Sequence, residues 1–95
     1  MNLLGKNILY DFKQRHADAR SQTESLEQEI EESLWKSPHD LLAQFPSARI
    51  IGGVNAIFNI CHNKYRLWVK IAYNTGVALV KKAGTHKEYD KWNIS

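Results

Sequence analysis

Two turn signals bracket one alternating stretch, and that arrangement limits the fold more than any other feature of the chain. His62-Asn63-Lys64 and Asn74-Thr75-Gly76 carry the residue types of tight hairpins. Between them Tyr65, Leu67, Val69, Ile71 and Tyr73 share one parity, and so one face of a strand. Arg66, Trp68, Lys70 and Ala72 share the other. Such a strand must bury its first face under a cover. Its second face, cationic and aromatic, is left to meet something else.

The flanking segments extend the sheet. Val54, Ala56, Phe58 and Ile60 alternate with Asn55, Ile57, Asn59 and Cys61, and residues 77–83 read as a last strand. Ala48 to Ile51 opens the sheet, and Gly52-Gly53 breaks or bulges it. The cover comes from the first part of the chain. Ile8, Leu9 and Phe12 predict a helix over 6–16, with His16 a surface residue at its end. Leu26, Ile30 and Leu34 form the narrow apolar stripe of a second helix over 18–36. Asp18 is its candidate N-cap, with Ser21-Gln22-Thr23-Glu24 as an alternative capping box. Ser37-Pro38 starts a short helix that Pro46 stops. The expected class is α+β: a mostly antiparallel, twisted sheet packed against N-terminal helices, with a short C-terminal helix.

Composition bounds the rest. Ninety-five residues allow one core, hence a single domain over 1–95. No apolar run approaches the roughly 20 residues that span a bilayer, and no signal-peptide stretch is evident. The one cysteine, Cys61, cannot form an internal disulfide, so a cytoplasmic protein without a membrane partner is expected. Charge is divided unevenly. Residues 1–40 hold five Lys/Arg against eight Asp/Glu, a net of −3, whereas residues 41–95 hold eight against two, a net of +6. The basic half is the sheet half, which favours a polyanionic partner. A lysine-rich edge that merely discourages sheet aggregation is the plainer alternative.

Cofactor and metal chemistry find no motif. The chain has no P-loop, GxGxxG or nucleophile elbow, and Cys61-His62 lack zinc spacing. The glutamates at 24, 27, 29, 31 and 32 read as a solvated helix face. Thr85-His86-Lys87-Glu88 is more specific. It forms a capping box that starts a helix at His86 and places His86 and Lys87 at free backbone N–H groups suited to an anion. His86 and Tyr89, three apart, share a face of that helix.

The hexapeptide Thr85-His86-Lys87-Glu88-Tyr89-Asp90 follows a Tyr65-Arg66-Leu67-Trp68-Val69 strand, with Phe45-Pro46-Ser47 upstream. In that company it resembles the HigB toxins of bacterial toxin–antitoxin pairs, in the broader RelE/ParE-like group. The resemblance covers nearly the whole chain and is closest over 41–92. It also supports a short strand at 2–4.

The resemblance implies a toxin that stops translation by cutting mRNA on the ribosome. A HigA-like helix-turn-helix antitoxin would hold it inactive. Arg66 takes the place of a strand arginine that contacts the scissile phosphate, and Lys81 that of a basic residue on the last strand. His86 and Tyr89 fall in the segment that supplies proton-transfer groups. The chemistry needs no metal, because RNA carries its own nucleophile in the 2′-hydroxyl.

The expected catalytic set is therefore Arg66, His86 and Tyr89, with Lys70, Lys81, Lys82, Lys87 and Trp68 binding RNA. Lys81 and Lys82, as neighbours in a strand, should point to opposite faces, so that only one lines the site. Plainer roles compete: Tyr89 as a core-edge aromatic, Trp68 and Trp92 as packing residues, Arg66 as a partner for Asp90. His39 and His62 are read as non-catalytic. Two whole-protein alternatives stay open, a toxin of the same fold that inhibits DNA gyrase by binding and a non-catalytic RNA-binding module.

Overall fold

Five strands and four α-helices follow one another in the computed structural model, which describes residues 1–94. β1 (Asn2–Leu4) leads into α1 (Lys6–Arg15); a 3-10 turn, Ala17–Ala19, joins α1 to α2 (Arg20–Glu32). α3 (Pro38–Gln44) precedes β2 (Arg49–Ile51), β3 (Asn55–Ile60), β4 (Tyr65–Ala72) and β5 (Val77–Thr85), and α4 (His86–Tyr89) closes the series. The sheet order is β1-β5-β4-β3-β2. The hairpin strands are antiparallel, and β1 pairs in parallel with β5. The α+β class holds, as does the short first strand.

The alternation of β4 is borne out. Tyr65, Leu67, Val69 and Ile71 are buried on the face that also carries Phe58, Ala78 and Val80, and Leu9, Phe12, Ile30 and Leu41 cover it. Trp35, Phe45 and Phe58 close one corner, with Phe45 edge-on to Phe58 at 5.2 Å. Gly5 has φ 80°, and a Cβ there would stand 2.7 Å from the Val80 carbonyl oxygen. Glycine is thus what lets the start of α1 come down onto β5.

Three details differ from the sequence reading. α2 ends at Glu32, because Ser33 turns extended and its hydroxyl donates to the Glu29 carbonyl at 2.5 Å. Leu34 therefore leaves the stripe and is 75% exposed, while Trp35 takes the core position. Asp18 caps nothing. It sits in the 3-10 turn and reaches across to the β3–β4 hairpin, and α2 starts without a side-chain cap, so the box at 21–24 is unused as well. His16 is half-buried, its ring 4.7 Å from that of Tyr65. Gly52-Gly53, both at positive φ, break the strand as read and form the β2–β3 turn, while the sheet carries a bulge in β5.

That bulge settles the lysine question. Trp68 pairs with Lys82 but Val69 with Val80, so Lys81 is the extra residue. Val80 and Ala83 both face the core, and the two lysines between them are both exposed. The expected opposition of Lys81 and Lys82 fails for this reason: the inserted residue breaks the two-residue period, and both stay off the core.

Candidate active site

The outer face of the sheet is only partly open. Ile57 and Trp68, paired across β3 and β4, are 2% and 7% exposed there. The Trp68 indole N–H donates to the buried Asn55 side chain at 2.9 Å, and the Trp92 ring lies 6.3 Å away. After β5 the chain folds back over this face as α4, and Tyr89 meets Trp92 edge-on at 5.6 Å. Trp68 is thus buried beneath the C-terminal segment.

Beside this lid runs an open groove of about 370 Å³, lined by Ser47, Arg49, Ile57, Asn59, Arg66, His86, Tyr89 and Asp90. Three residues expected from the sequence meet in it. Arg66 lies mid-sheet, between Asn59 of β3 and Gly84 of β5. Its Nη1 donates to the Asn63 carbonyl at 2.8 Å and to the Tyr65 carbonyl at 3.3 Å. Its Cζ stands 5.5 Å from the Tyr89 ring centroid, within cation–π range. No ion pair to Arg66 forms among the described residues, so Asp90 is not its partner. Asp90 instead approaches His86, with Oδ1 3.9 Å from Nδ1. The His86 and Tyr89 rings lie 6.4 Å apart and nearly parallel at 29°.

Two local devices hold these groups. The capping box forms as read: the Thr85 hydroxyl accepts from the Glu88 N–H at 3.1 Å, and the Glu88 carboxylate accepts from the Thr85 N–H at 2.9 Å. That N–H holds the Glu88 carboxyl below its ordinary range. A Cβ on Gly84 would meet Glu88 Oε1 at 2.9 Å, so glycine leaves room for the box. The expected free N–H at His86 is taken, since it donates to the Lys64 carbonyl at 3.1 Å. The second device is the β3–β4 hairpin. Cys61, His62 and Asn63 all have positive φ, between 52° and 74°, and the Lys64 N–H closes the turn on the Cys61 carbonyl at 3.1 Å.

Asp18 ties that hairpin to the helical layer. It accepts from Lys64 Nζ at 2.8 Å and from the Tyr65 hydroxyl at 2.8 Å, while Gln22 accepts from the Cys61 N–H at 2.8 Å. The Lys64 ammonium, and then the Tyr65 hydroxyl, hold the Asp18 carboxyl below its usual range. Asp18 in turn raises the Lys64 pKa.

Four lysines fall outside the groove lining. Lys70, Lys81, Lys82 and Lys87 are exposed, and none of them borders it. Arg49 borders it instead and was not singled out from the sequence. The only signal was its parity, opposite to that of Ala48 and Ile50. No group of three or more His, Cys, Asp or Glu is gathered among the described residues in a way that could hold a metal ion. No helix among them is long and apolar enough to cross a membrane.

A family model for the HigB toxin, RelE-like toxic component of a toxin–antitoxin system, matches residues 19–92. This chain belongs to the HigB toxin family. The matched span contains β2 to β5, the β3–β4 hairpin turn and α4, and so the whole groove. Three curated relatives are similar to the chain: the mRNA interferase toxin HigB of Escherichia coli strain K12, and the mRNA interferases HigB of Escherichia coli O157:H7 and Shigella flexneri. Each is 25% identical over 92 residues, covering 95% of this chain and 88% of the relative. As the toxic component of such a system, a HigB toxin has an antitoxin as its counterpart.

Proposed function

We propose that this HigB toxin is an endoribonuclease that cuts mRNA on the ribosome through the RNA's own 2′-hydroxyl, without a metal. The observation that carries the reading is the meeting of Arg66, His86 and Tyr89 in one groove, in a chain whose relatives are named mRNA interferases. The gyrase-inhibitor and RNA-binding readings gain no support from those names.

In this reading the scissile phosphate lies against Arg66. The Asn63 carbonyl and the Tyr89 ring aim its guanidinium before substrate arrives, so little reorganisation is needed as charge builds on the phosphorane. His86 takes the 2′-hydroxyl proton, and Asp90 stands where the resulting positive charge is best offset. The 2′-oxygen–phosphorus bond forms as the phosphorus–5′-oxygen bond breaks. Tyr89 gives its proton to the departing 5′-oxygen. The products are a 2′,3′-cyclic phosphate and a 5′-hydroxyl end. A HigA-like helix-turn-helix antitoxin would neutralise the toxin by covering the groove or by blocking its entry to the ribosome.

The test is cleavage of ribosome-bound mRNA followed by analysis of the new ends. Cyclic phosphate and 5′-hydroxyl ends are expected, and cutting should persist in EDTA when the ribosome is kept intact by other means. Products with a 3′-hydroxyl would mean attack by water and would defeat the mechanism.

A further inference from the structure

We propose that Arg49 is a second backbone-phosphate contact, binding the phosphate next to the scissile one and admitting the RNA strand from the β2 edge of the sheet. This rests on the groove being the RNA-cleaving site. Arg49 opens β2, the edge strand, and pairs with Ile57 of β3, which pairs with Trp68 of β4. Arg66 stands two residues before Trp68 on β4. With strands about 4.8 Å apart and about 3.3 Å per residue, the two arginine Cα atoms are roughly 12 Å apart across one face. Between them lie Ile57 and Asn59, which with the two arginines line the same groove. Two cationic residues thus flank Ile57 and Asn59 on one face of the sheet.

Charge makes Arg49 the stronger candidate than any lysine. It is exposed, and no hydrogen bond or ion pair occupies it among the described residues. The acid of the groove, Asp90, stands at the end of α4 beside His86, with Oδ1 3.9 Å from Nδ1. An anion over Ile57 and Asn59 is therefore drawn between the two arginines. Guanidinium also suits phosphate better than ammonium does, because it can donate two parallel hydrogen bonds. The competing role for a cation here is to guard a sheet edge against pairing with another chain. That role predicts no change in RNA affinity when the charge is removed.

The experiment uses the full chain in two assays. The first is binding to a short single-stranded RNA carrying 2′-O-methyl groups throughout, which cannot be cut, measured by fluorescence anisotropy over a range of salt. The second is single-turnover cleavage on programmed ribosomes at varied toxin concentration. Arg49→Ala should weaken oligonucleotide binding on the order of tenfold at low salt, and lower the salt slope by about 0.7, the share of one phosphate on a single strand. It should raise the toxin concentration needed for half-maximal rate while leaving the saturated rate within about twofold. Arg49→Lys should retain the salt slope and recover part of the affinity. A wild-type salt slope and affinity in Arg49→Ala would overturn the inference. Arg66→Ala, assayed alongside, separates the two readings. If Arg66→Ala cuts at the wild-type rate, the site itself is misplaced; if it is slow while Arg49→Ala is normal in both assays, only the second contact falls.

Discussion

The Arg66 guanidinium carbon stands 5.5 Å from the centre of the Tyr89 ring, while Nη1 of the same group donates to the Asn63 carbonyl. A strand residue is thus held between a hairpin turn and a C-terminal helix. It lines the groove together with His86 and Tyr89. This contact joins the two halves of the candidate site.

Arg66→Ala should cost on the order of 10²-fold or more in single-turnover cleavage, comparable with loss of an oxyanion donor. The loss should fall on the chemical step more than on binding, since these bonds strengthen as the phosphorane gains charge. Circular dichroism should show an unchanged fold. A wild-type rate in a folded variant would place the chemistry elsewhere on the sheet.

His86→Ala and Tyr89→Phe should each lower the rate by about 10²–10⁴-fold, the usual worth of a proton carrier. Tyr89→Phe keeps the ring under Arg66 and removes only the hydroxyl, so it reports proton transfer apart from positioning. Glu29→Ala, on the exposed acidic face of α2, should leave cleavage untouched.

Gly84→Ala should loosen α4 without unfolding the sheet. The new methyl would press on Glu88, 2.9 Å away, and open the capping box. Hydrogen exchange at the start of α4 should rise and cleavage should slow, while the melting temperature changes little. Retained protection there would mean that the box is not what holds the helix.

Leu67→Asp should unfold the domain. Leu67 has no exposed surface and pairs with Phe58 in the centre of the sheet, so the change buries an unpaired carboxylate. A cooperative melt near the wild-type temperature would contradict the face assignment.

Asp18 predicts the shape of the acid limb. Its folded pKa is depressed, so its contribution to stability is present above the unfolded aspartate value near 4 and is lost as pH falls through the folded value. Asp18→Asn should therefore lower the melting temperature at pH 7 and flatten its decline between pH 5 and pH 2. An acid limb as steep as the wild type's would show that Asp18 does not contribute this way.

What the sequence alone determined here is what short-range chemistry determines. The parity of residues 65–73 set the buried face of β4, because side chains alternate along any strand. Thr85 and Glu88 built their capping box, and His62-Asn63 their turn, from atoms only a few residues apart. His86 and Tyr89 could be placed together for the same reason. The tertiary structure decided whatever depends on which segments meet. Asp18 read as a helix cap because its sequence neighbours are helical, yet its carboxylate is claimed by Lys64 and Tyr65, which the hairpin brings within 2.8 Å. The burial of Trp68 was set by the C-terminal segment, whose Trp92 ring comes to 6.3 Å from it. Lys81 and Lys82 read as opposed until cross-strand register made Lys81 the extra residue of a bulge. Arg49 carried no local signal beyond its parity and joined the groove through β2 pairing on β3. In each case the deciding partner lies far away in sequence, and only packing the sheet, its turns and its helices together brings it into contact.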